Sequence, residues 1–148
     1  MEDLFAGRNV NIPEMMVKLK KVAASEDLPF GTRTMTYNSR LAQELGKWAE
    51  AEGKGDAFHQ AMFRAYFAEG HNIADEGVLL DVAASVSLED VEAKRILQDR
   101  VFQDAVDTDW QRAYDLGITA APTFLMDIRR LVGAQSYDVL EKFVLNKT

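Results

Sequence analysis

The sequence of 148 residues contains no cysteine. This absence excludes a disulfide framework, a zinc site built on thiolates, and redox chemistry by thiols of these residues. We expect this chain to supply no catalytic residue; for reasons other than the absence of cysteine, we also expect no metal ligand set and no bound cofactor.

Long apolar runs and excess positive charge are also lacking. No run approaches the roughly 18 apolar residues of a membrane-spanning helix, and residues 1–11 lack the apolar core of a secretory signal. The formal net charge of −7 repels phosphate backbones. We expect no membrane and no nucleic acid as partners, and the cytoplasm as the default location.

Helical patterns are present up to about Gly117. Asn11 and Glu14 have the spacing of a capping box, and an apolar stripe follows them at intervals of three and four residues. Asp75 is placed to begin the fourth of six predicted helices.

Two further expectations concern caps and the core. Ser87 and Asp90 have the spacing of another capping box, which predicts that Ser87 begins the fifth helix. We assign Trp48 and Trp110 to the hydrophobic core.

The pattern changes after Gly117. "ITAAPTFLM" and "RRLVG" are strand signals separated by Asp127 and Ile128, and Ser136 can cap a last amphipathic helix. The sequence therefore predicts a mostly α fold with a small β-β-α part at its end.

Pro122 is unexpected in the first of these strands. A proline cannot donate a hydrogen bond to a sheet ladder, so a central strand avoids it. From the residues alone, Pro122 marks a strand edge or a turn.

A family resemblance explains the proline differently. "GITAAPTFLM" followed by "RRLVGAQ" and an amphipathic helix resembles the C-terminal half of the DsbA-like thioredoxin fold, whose proline at this position is cis. The stretch "NSRLAQELGKWAEAEGKGDAFHQAMFRAYFAEGHNIAD" is similar to the helical lobe inserted in that fold. The subgroup most resembled is the FrnE-like proteins, relatives of 2-hydroxychromene-2-carboxylate isomerases.

The resemblance implies two domains and one missing part. Residues 1–115 would be the helical insertion lobe, and residues 116–148 the C-terminal β-β-α of the thioredoxin-like fold. The family fold begins with a β-α-β unit that carries a Cys-x-x-Cys motif, and this unit is not in the sequence. We expect a truncated chain that is inactive in dithiol exchange by itself.

The resemblance also implies a binding site. In the family, the backbone of the residue before the proline pairs with an extended thiol substrate, as in strand addition. The corresponding residues here are Ala121 and Pro122, flanked by Ala120 and Thr123. The expected ligand is a thiol peptide or a glutathione-like molecule.

Four functional interpretations stay open. The chain is an incomplete DsbA-family thiol-disulfide oxidoreductase, a non-catalytic module that binds a peptide or a partner, one chain of a split thioredoxin-fold enzyme, or a relative of the glutathione-linked isomerases. A two-stranded hairpin is marginal by itself, so we also expect a homo-oligomer or a partner that completes the sheet.

Other chemistry-bearing residues have simpler interpretations. His59 is expected to be structural or at the surface, and His71 with Asp75 are too few ligands for a metal site. Met62 and the aromatic residues of 58–67 lie at helical spacing, which favours core packing over a substrate groove.

Overall fold

The computed structural model describes residues 11–33 and 35–145. Within these ranges the chain forms seven α-helices, one π-helical segment and a two-stranded sheet. The elements are α1 Ile12–Ser25, α2 Arg40–Ala51, α3 Gly55–Phe63 continued by a π-helix Arg64–Ala68, α4 Glu76–Ser85, α5 Asp90–Gln98, α6 Gln103–Asp115, β1 Thr123–Met126, β2 Arg129–Val132 and α7 Tyr137–Leu145. The predicted mostly α fold with a small β-β-α part is confirmed.

The chain forms two compact units, one ending at Val106 and one beginning at Asp107, so α6 belongs to both. The domain boundary expected between residues 115 and 116 stays a prediction. None of the described helices is both long enough and apolar enough to cross a lipid bilayer.

The core of the first unit lies among α2 to α5. α2 packs against α3 and α5, and α4 packs against α3 and α5. The largest fully buried apolar side chains of this core are Leu45, Phe58 and Leu79. Helix α1 buries no side chain, although its sequence carries an apolar stripe.

Local capping explains where several helices begin. The side chain of Asn11 accepts a hydrogen bond from the Glu14 N–H at 3.2 Å, and that of Asp75 accepts one from the Val78 N–H at 3.2 Å. Each satisfies a backbone donor that a helix start leaves without an intrahelical partner. These two predicted helix starts are confirmed.

The expectation that Ser87 caps α5 is wrong. Glu89 is the N-cap, and its carboxylate accepts from the N–H groups of Val91 and Glu92. Ser87 has a left-handed φ of +62° and its N–H donates to the Ala84 carbonyl. It therefore closes the end of α4.

Of the two tryptophans, only one lies in the core. Trp48 is 5% exposed, but Trp110 is 54% exposed. The expectation for Trp110 is wrong because only one turn of α6 points inward, at Val106, the one residue of this helix that is buried among the described ones.

A buried ion-pair cluster joins α2 to the turn before α6. Glu44 is 0% exposed, and its Oε1 accepts from Arg40 Nε at 2.7 Å and from Arg100 Nη2 at 2.6 Å. Its Oε2 accepts from Arg100 Nε at 2.7 Å, and Arg40 also donates to the Gln103 carbonyl at 2.9 Å. Hydrogen bonds from Arg100 lower the pKa of Glu44 most; burial opposes this, and Arg40 lowers the pKa further.

The second unit is held together around the hairpin. β1 and β2 are antiparallel, with Phe124 opposite Leu131, and Asp127 begins the two-residue turn with a φ of +54°. Arg129 Nη1 donates to the Phe143 carbonyl at 2.8 Å, which ties β2 to α7.

We predict that Glu44→Gln lowers the free energy of unfolding by about 1.5–3 kcal/mol at pH 7, because the arginines lose a charged acceptor. Denaturant unfolding measures this. The matched control is Glu50→Gln, whose carboxylate forms an exposed pair with Lys47 at 3.2 Å and should matter by less than about 1 kcal/mol.

The lowered pKa of Glu44 also predicts how the stability difference between the parent and Glu44→Gln depends on pH. Because the native pKa of Glu44 is lowered, its contribution is present above the ordinary value of 4.5 and is lost as pH falls through the lower native value. The difference between parent and Glu44→Gln should shrink as the pH falls below that value. A difference that stays constant or grows on acidification would contradict this account.

Candidate functional site

The candidate site is the loop from Gly117 to Thr123, which leads from α6 into β1. α6 ends at this loop because Gly117 takes a left-handed φ of +63°. The N–H of Gly117 donates to the Tyr114 carbonyl at 2.8 Å, and that of Ile118 donates to the Ala113 carbonyl at 2.9 Å. These bonds turn the chain sharply away from the helix axis.

Arg130 of β2 holds the start of this loop. Its Nη1 donates to the Gly117 carbonyl at 2.9 Å, and its Nη2 donates to the Leu116 carbonyl. A guanidinium at a helix C-terminus is favourable because the last carbonyls carry partial negative charge. A Cβ on Gly117 would lie 3.0 Å from Arg130 Nη2, so a larger residue there would push against the guanidinium.

The end of the loop forms a tight turn before β1. The Ala121–Pro122 peptide bond is cis. Thr123 Oγ1 donates to the Ala120 carbonyl at 2.6 Å, and the Pro122 carbonyl accepts from the Gly133 N–H at 2.8 Å. The second bond extends the hairpin ladder by one step beyond the paired residues Thr123 and Val132.

Ala121 lies in an exposed part of the loop. Thr119, Ala120, Ala121 and Pro122 are all exposed, and no backbone hydrogen bond within the described part of the chain engages the N–H or C=O of Ala121. An unpaired backbone donor and acceptor beside an open strand edge are what strand addition uses. The loop contains no cysteine thiol.

The four residues proposed from the sequence are consecutive and lie together in this turn. Sequence reasoning missed Arg130, which positions the loop from fourteen residues beyond Leu116. An arginine in a strand carries no signal for such a contact, because only the folded hairpin brings it to the end of α6.

The histidines form no centre with other ligands. His59 Nε2 lies 3.8 Å from Glu50 Oε1, and His71 Nδ1 lies 3.6 Å from Glu69 Oε2. Across residues 11–33 and 35–145, no group of three or more His, Cys, Asp or Glu side chains is placed to hold a metal ion.

Comparisons with known proteins agree on one fold. Residues 3–144 match the family model of the DSBA-like thioredoxin domain. The crystal structure of a probable DsbA oxidoreductase from Streptomyces coelicolor superposes with a TM-score of 0.81 at 24% identity, covering 99% of this chain and 67% of that one. At that identity the likeness establishes the fold alone.

Two curated relatives are from Bacillus subtilis strain 168. The uncharacterized protein YwbO is 34% identical over 105 residues, which are 70% of this chain and 52% of the relative. The ClpXP adapter protein SpxH is 30% identical over 107 residues, 66% of this chain and 36% of the relative. The chain thus spans about half or less of the length of these relatives.

We predict that Arg130→Met loosens the loop, because two carbonyls at the end of α6 lose their charged donor. Amide hydrogen exchange of Gly117, Ile118 and Gly133, followed by NMR, should speed up by about threefold to tenfold. Arg112→Met, on an exposed position of α6, is the control and should leave these rates unchanged. Equal exchange in Arg130→Met and the parent would show that the guanidinium does not hold the loop.

Proposed function

Because this chain belongs to the DSBA-like thioredoxin domain family, we propose that Ala120–Thr123 form the substrate-binding side of a thiol–disulfide exchange site. The cysteines of that site would lie outside these 148 residues, none of which is cysteine. The observation that carries the proposal is that Ala121 is an exposed residue whose backbone has no hydrogen-bond partner among the described residues.

The proposal separates binding from sulfur chemistry. In thiol–disulfide exchange a thiolate attacks a disulfide sulfur and forms a mixed disulfide, and no side chain here supplies that thiolate. Ala121 would instead hold an extended substrate by backbone hydrogen bonds, with Pro122 fixing the direction in which the chain leaves the site. The substrate class is a cysteine-containing peptide or a glutathione-like tripeptide.

The source of the cysteines is a separate question. The chain covers 52% of YwbO, so a Cys-x-x-Cys unit could belong to a longer form of the same polypeptide or to a separate chain. An in-frame strand–Cys-x-x-Cys–helix segment in the DNA directly upstream of the Met1 codon would support the first source. The same segment on a separate open frame would support the second. The FrnE-like assignment and a glutathione-linked isomerase activity gain no support from any described side chain.

A second candidate function is a binding module without chemistry. The similarity to the ClpXP adapter protein SpxH supports it, as does the absence of cysteine. An adapter would use the same exposed backbone to hold a partner segment, but it would not require a cysteine in that segment. This difference separates the two candidates.

We also propose that another chain completes the sheet. Both outer edges of the two-stranded sheet are free of strands in the described structure, and Leu125 and Val132 are 39% and 47% exposed. Free edges with apolar side chains promote pairing between chains. A second copy of this chain is the simplest partner.

The proposed peptide site is tested by Pro122→Ala. A fluorescent peptide with a central S-methylcysteine should bind the parent, and Pro122→Ala should weaken binding by about tenfold or more, because the Ala121 backbone is no longer held in place. Fluorescence anisotropy measures the dissociation constants. Pro29→Ala changes another exposed proline and should bind like the parent.

Three outcomes decide between the candidates. Loss of affinity when the S-methylcysteine is replaced by serine supports the oxidoreductase-type site. Equal affinity for both peptides, still sensitive to Pro122→Ala, supports the binding module. Peptide binding that is indifferent to Pro122→Ala, or absent in the parent, contradicts the assignment of Ala120–Thr123.

The proposal that a second copy completes the sheet predicts self-association. Light scattering at micromolar concentration should give a mass above the 16.6 kDa of one chain, and Leu125→Lys on β1 should return it to the monomer because charge blocks strand pairing. Ile128→Lys, in the turn outside the ladder, is the control. A parent that is already monomeric would contradict the proposal.

A further inference from the structure

Arg130 brings a positive charge to the loop that carries the proposed peptide site. Residues 117–123 of this loop contain no charged side chain. The guanidinium reaches the loop from β2 and donates to the carbonyls of Leu116 and Gly117. The backbone that would hold a substrate is therefore neutral, and a cation lies against the first residue of the loop.

The contacts of Arg130 leave its charge without a counter-ion. Both of its hydrogen bonds go to carbonyl groups, and the carbonyls at a helix C-terminus together carry only about half an elementary negative charge. Within residues 11–33 and 35–145, Arg130 has no carboxylate partner. A guanidinium has five N–H donors, and the two bonds to the loop do not use all of them. Positive charge and hydrogen-bond donors are thus left for a further acceptor.

The side chain of Arg130 lies on the exposed face of the hairpin. Arg130 is opposite Leu125 in the ladder, and Val132 is opposite Thr123. Side chains directly opposite each other in a sheet point to the same face. On this face Leu125 and Val132 are 39% and 47% exposed, and Arg130 itself is exposed. Its charge is therefore accessible to solutes.

The strand register places this charge near the proposed peptide site. Arg130 is two residues from Val132, which pairs with the first residue of β1, and two residues span about 7 Å in a strand. Its guanidinium contacts Gly117, which lies in the same loop as Ala121. In an extended substrate held at Ala121, the neighbouring side chains lie within a further ~7 Å along the substrate. Such spans are comparable with the Debye length of about 8 Å at physiological ionic strength, so screening between the charges is incomplete.

The other charges near the loop do not replace this cation. Arg112 and Asp115 are exposed in the last turn of α6 and have opposite charges, so they offset each other to first order. The carboxylate of Asp115 also accepts from Gln111 Nε2 at 2.8 Å, one turn back along the helix. The net charge of −7 for the whole chain disfavours acidic ligands. A preference for acidic substrates would therefore require a local cation.

We infer that the peptide site selects thiol substrates with a carboxylate next to the cysteine, and that Arg130 supplies this selectivity. The inference rests on the proposed function of Ala120–Thr123. The substrate class is an acidic cysteine-containing peptide, and a glutathione-like tripeptide, with carboxylates on both sides of its cysteine, belongs to it. Because Arg130 acts on the flanking charge and not on the sulfur, it determines specificity and is not a catalytic residue.

The test compares three fluorescent peptides, in which a central S-methylcysteine is flanked on both sides by glutamate, glutamine or lysine. Fluorescence anisotropy on the full chain should give a dissociation constant at least about threefold lower for the glutamate peptide than for the glutamine peptide, and the lysine peptide should bind most weakly. The preference for glutamate should disappear in about 1 M salt, where the Debye length falls to about 3 Å.

The Arg130→Met variant assigns the preference to this side chain. It should bring the ratio of the glutamine to the glutamate dissociation constant to about one. The matched control is Lys142→Met, which removes a positive charge from an exposed position of α7. α7 lies beside the other face of the hairpin, where Arg129 donates to the Phe143 carbonyl, so this control should keep the ratio of the parent.

The ratio separates charge recognition from the structural role of Arg130. If the guanidinium only holds the loop, Arg130→Met weakens all three peptides alike and leaves the ratio unchanged, which would overturn the inference. Equal binding of the glutamate and glutamine peptides by the parent would also overturn it, and this measurement does not depend on the folding of a variant. So would a glutamate preference that persists in about 1 M salt.

The glutamine peptide distinguishes failure of this inference from failure of the proposed function. If it binds the parent and is weakened by Pro122→Ala, the proposed function stands even when the glutamate preference is absent. If no peptide binds the parent, both are contradicted.

Discussion

The unpaired backbone of Ala121 is the constraint on which the functional account depends. Backbone N–H and C=O groups require partners, and those of the exposed residue Ala121, just before β1, have none among the described residues. Water can satisfy them, and so can an incoming extended chain. Gly117 and Arg130 hold one end of the loop, and the Gly133 N–H bound to the Pro122 carbonyl holds the other. The rest of the second unit thus keeps one short backbone segment available at a fixed place.

The proposal assigns substrate binding and sulfur chemistry to different residues. Recognition of an extended substrate needs only backbone geometry and an open edge, and both are present without cysteine. The chemistry needs a thiolate of lowered pKa, which these residues do not contain. The first unit has its own hydrophobic core, beside which Glu44 is buried between two arginines.

Local sequence signals predicted the elements and failed where tertiary contacts decide. The helix starts at Asn11 and Asp75 follow from side chains three residues before the N–H they accept from. Ser87 had the same local pattern, but it closes α4, because Glu89 has the longer side chain and reaches two N–H groups. Trp110 was expected in the core from its apolar spacing. The expectation failed because such spacing does not reveal how much of a helix is covered by the rest of the protein.

The candidate site was predictable only where its residues are consecutive in the sequence. Ala120–Thr123 came from a family resemblance in consecutive residues, and the family assignment is confirmed. Arg130 was not predicted, because it acts on residues thirteen and fourteen positions away in the sequence. The π-helical turn also has no sequence signature in this chain that distinguishes it from the end of an α-helix.

The most direct test is the hydrogen exchange of the Ala121 amide with and without a bound extended peptide, measured by NMR together with intermolecular NOEs. If Ala121 pairs with the substrate backbone, its amide becomes protected on binding and shows NOEs to the peptide main chain. A peptide that binds while the Ala121 amide exchanges as fast as before would contradict the account.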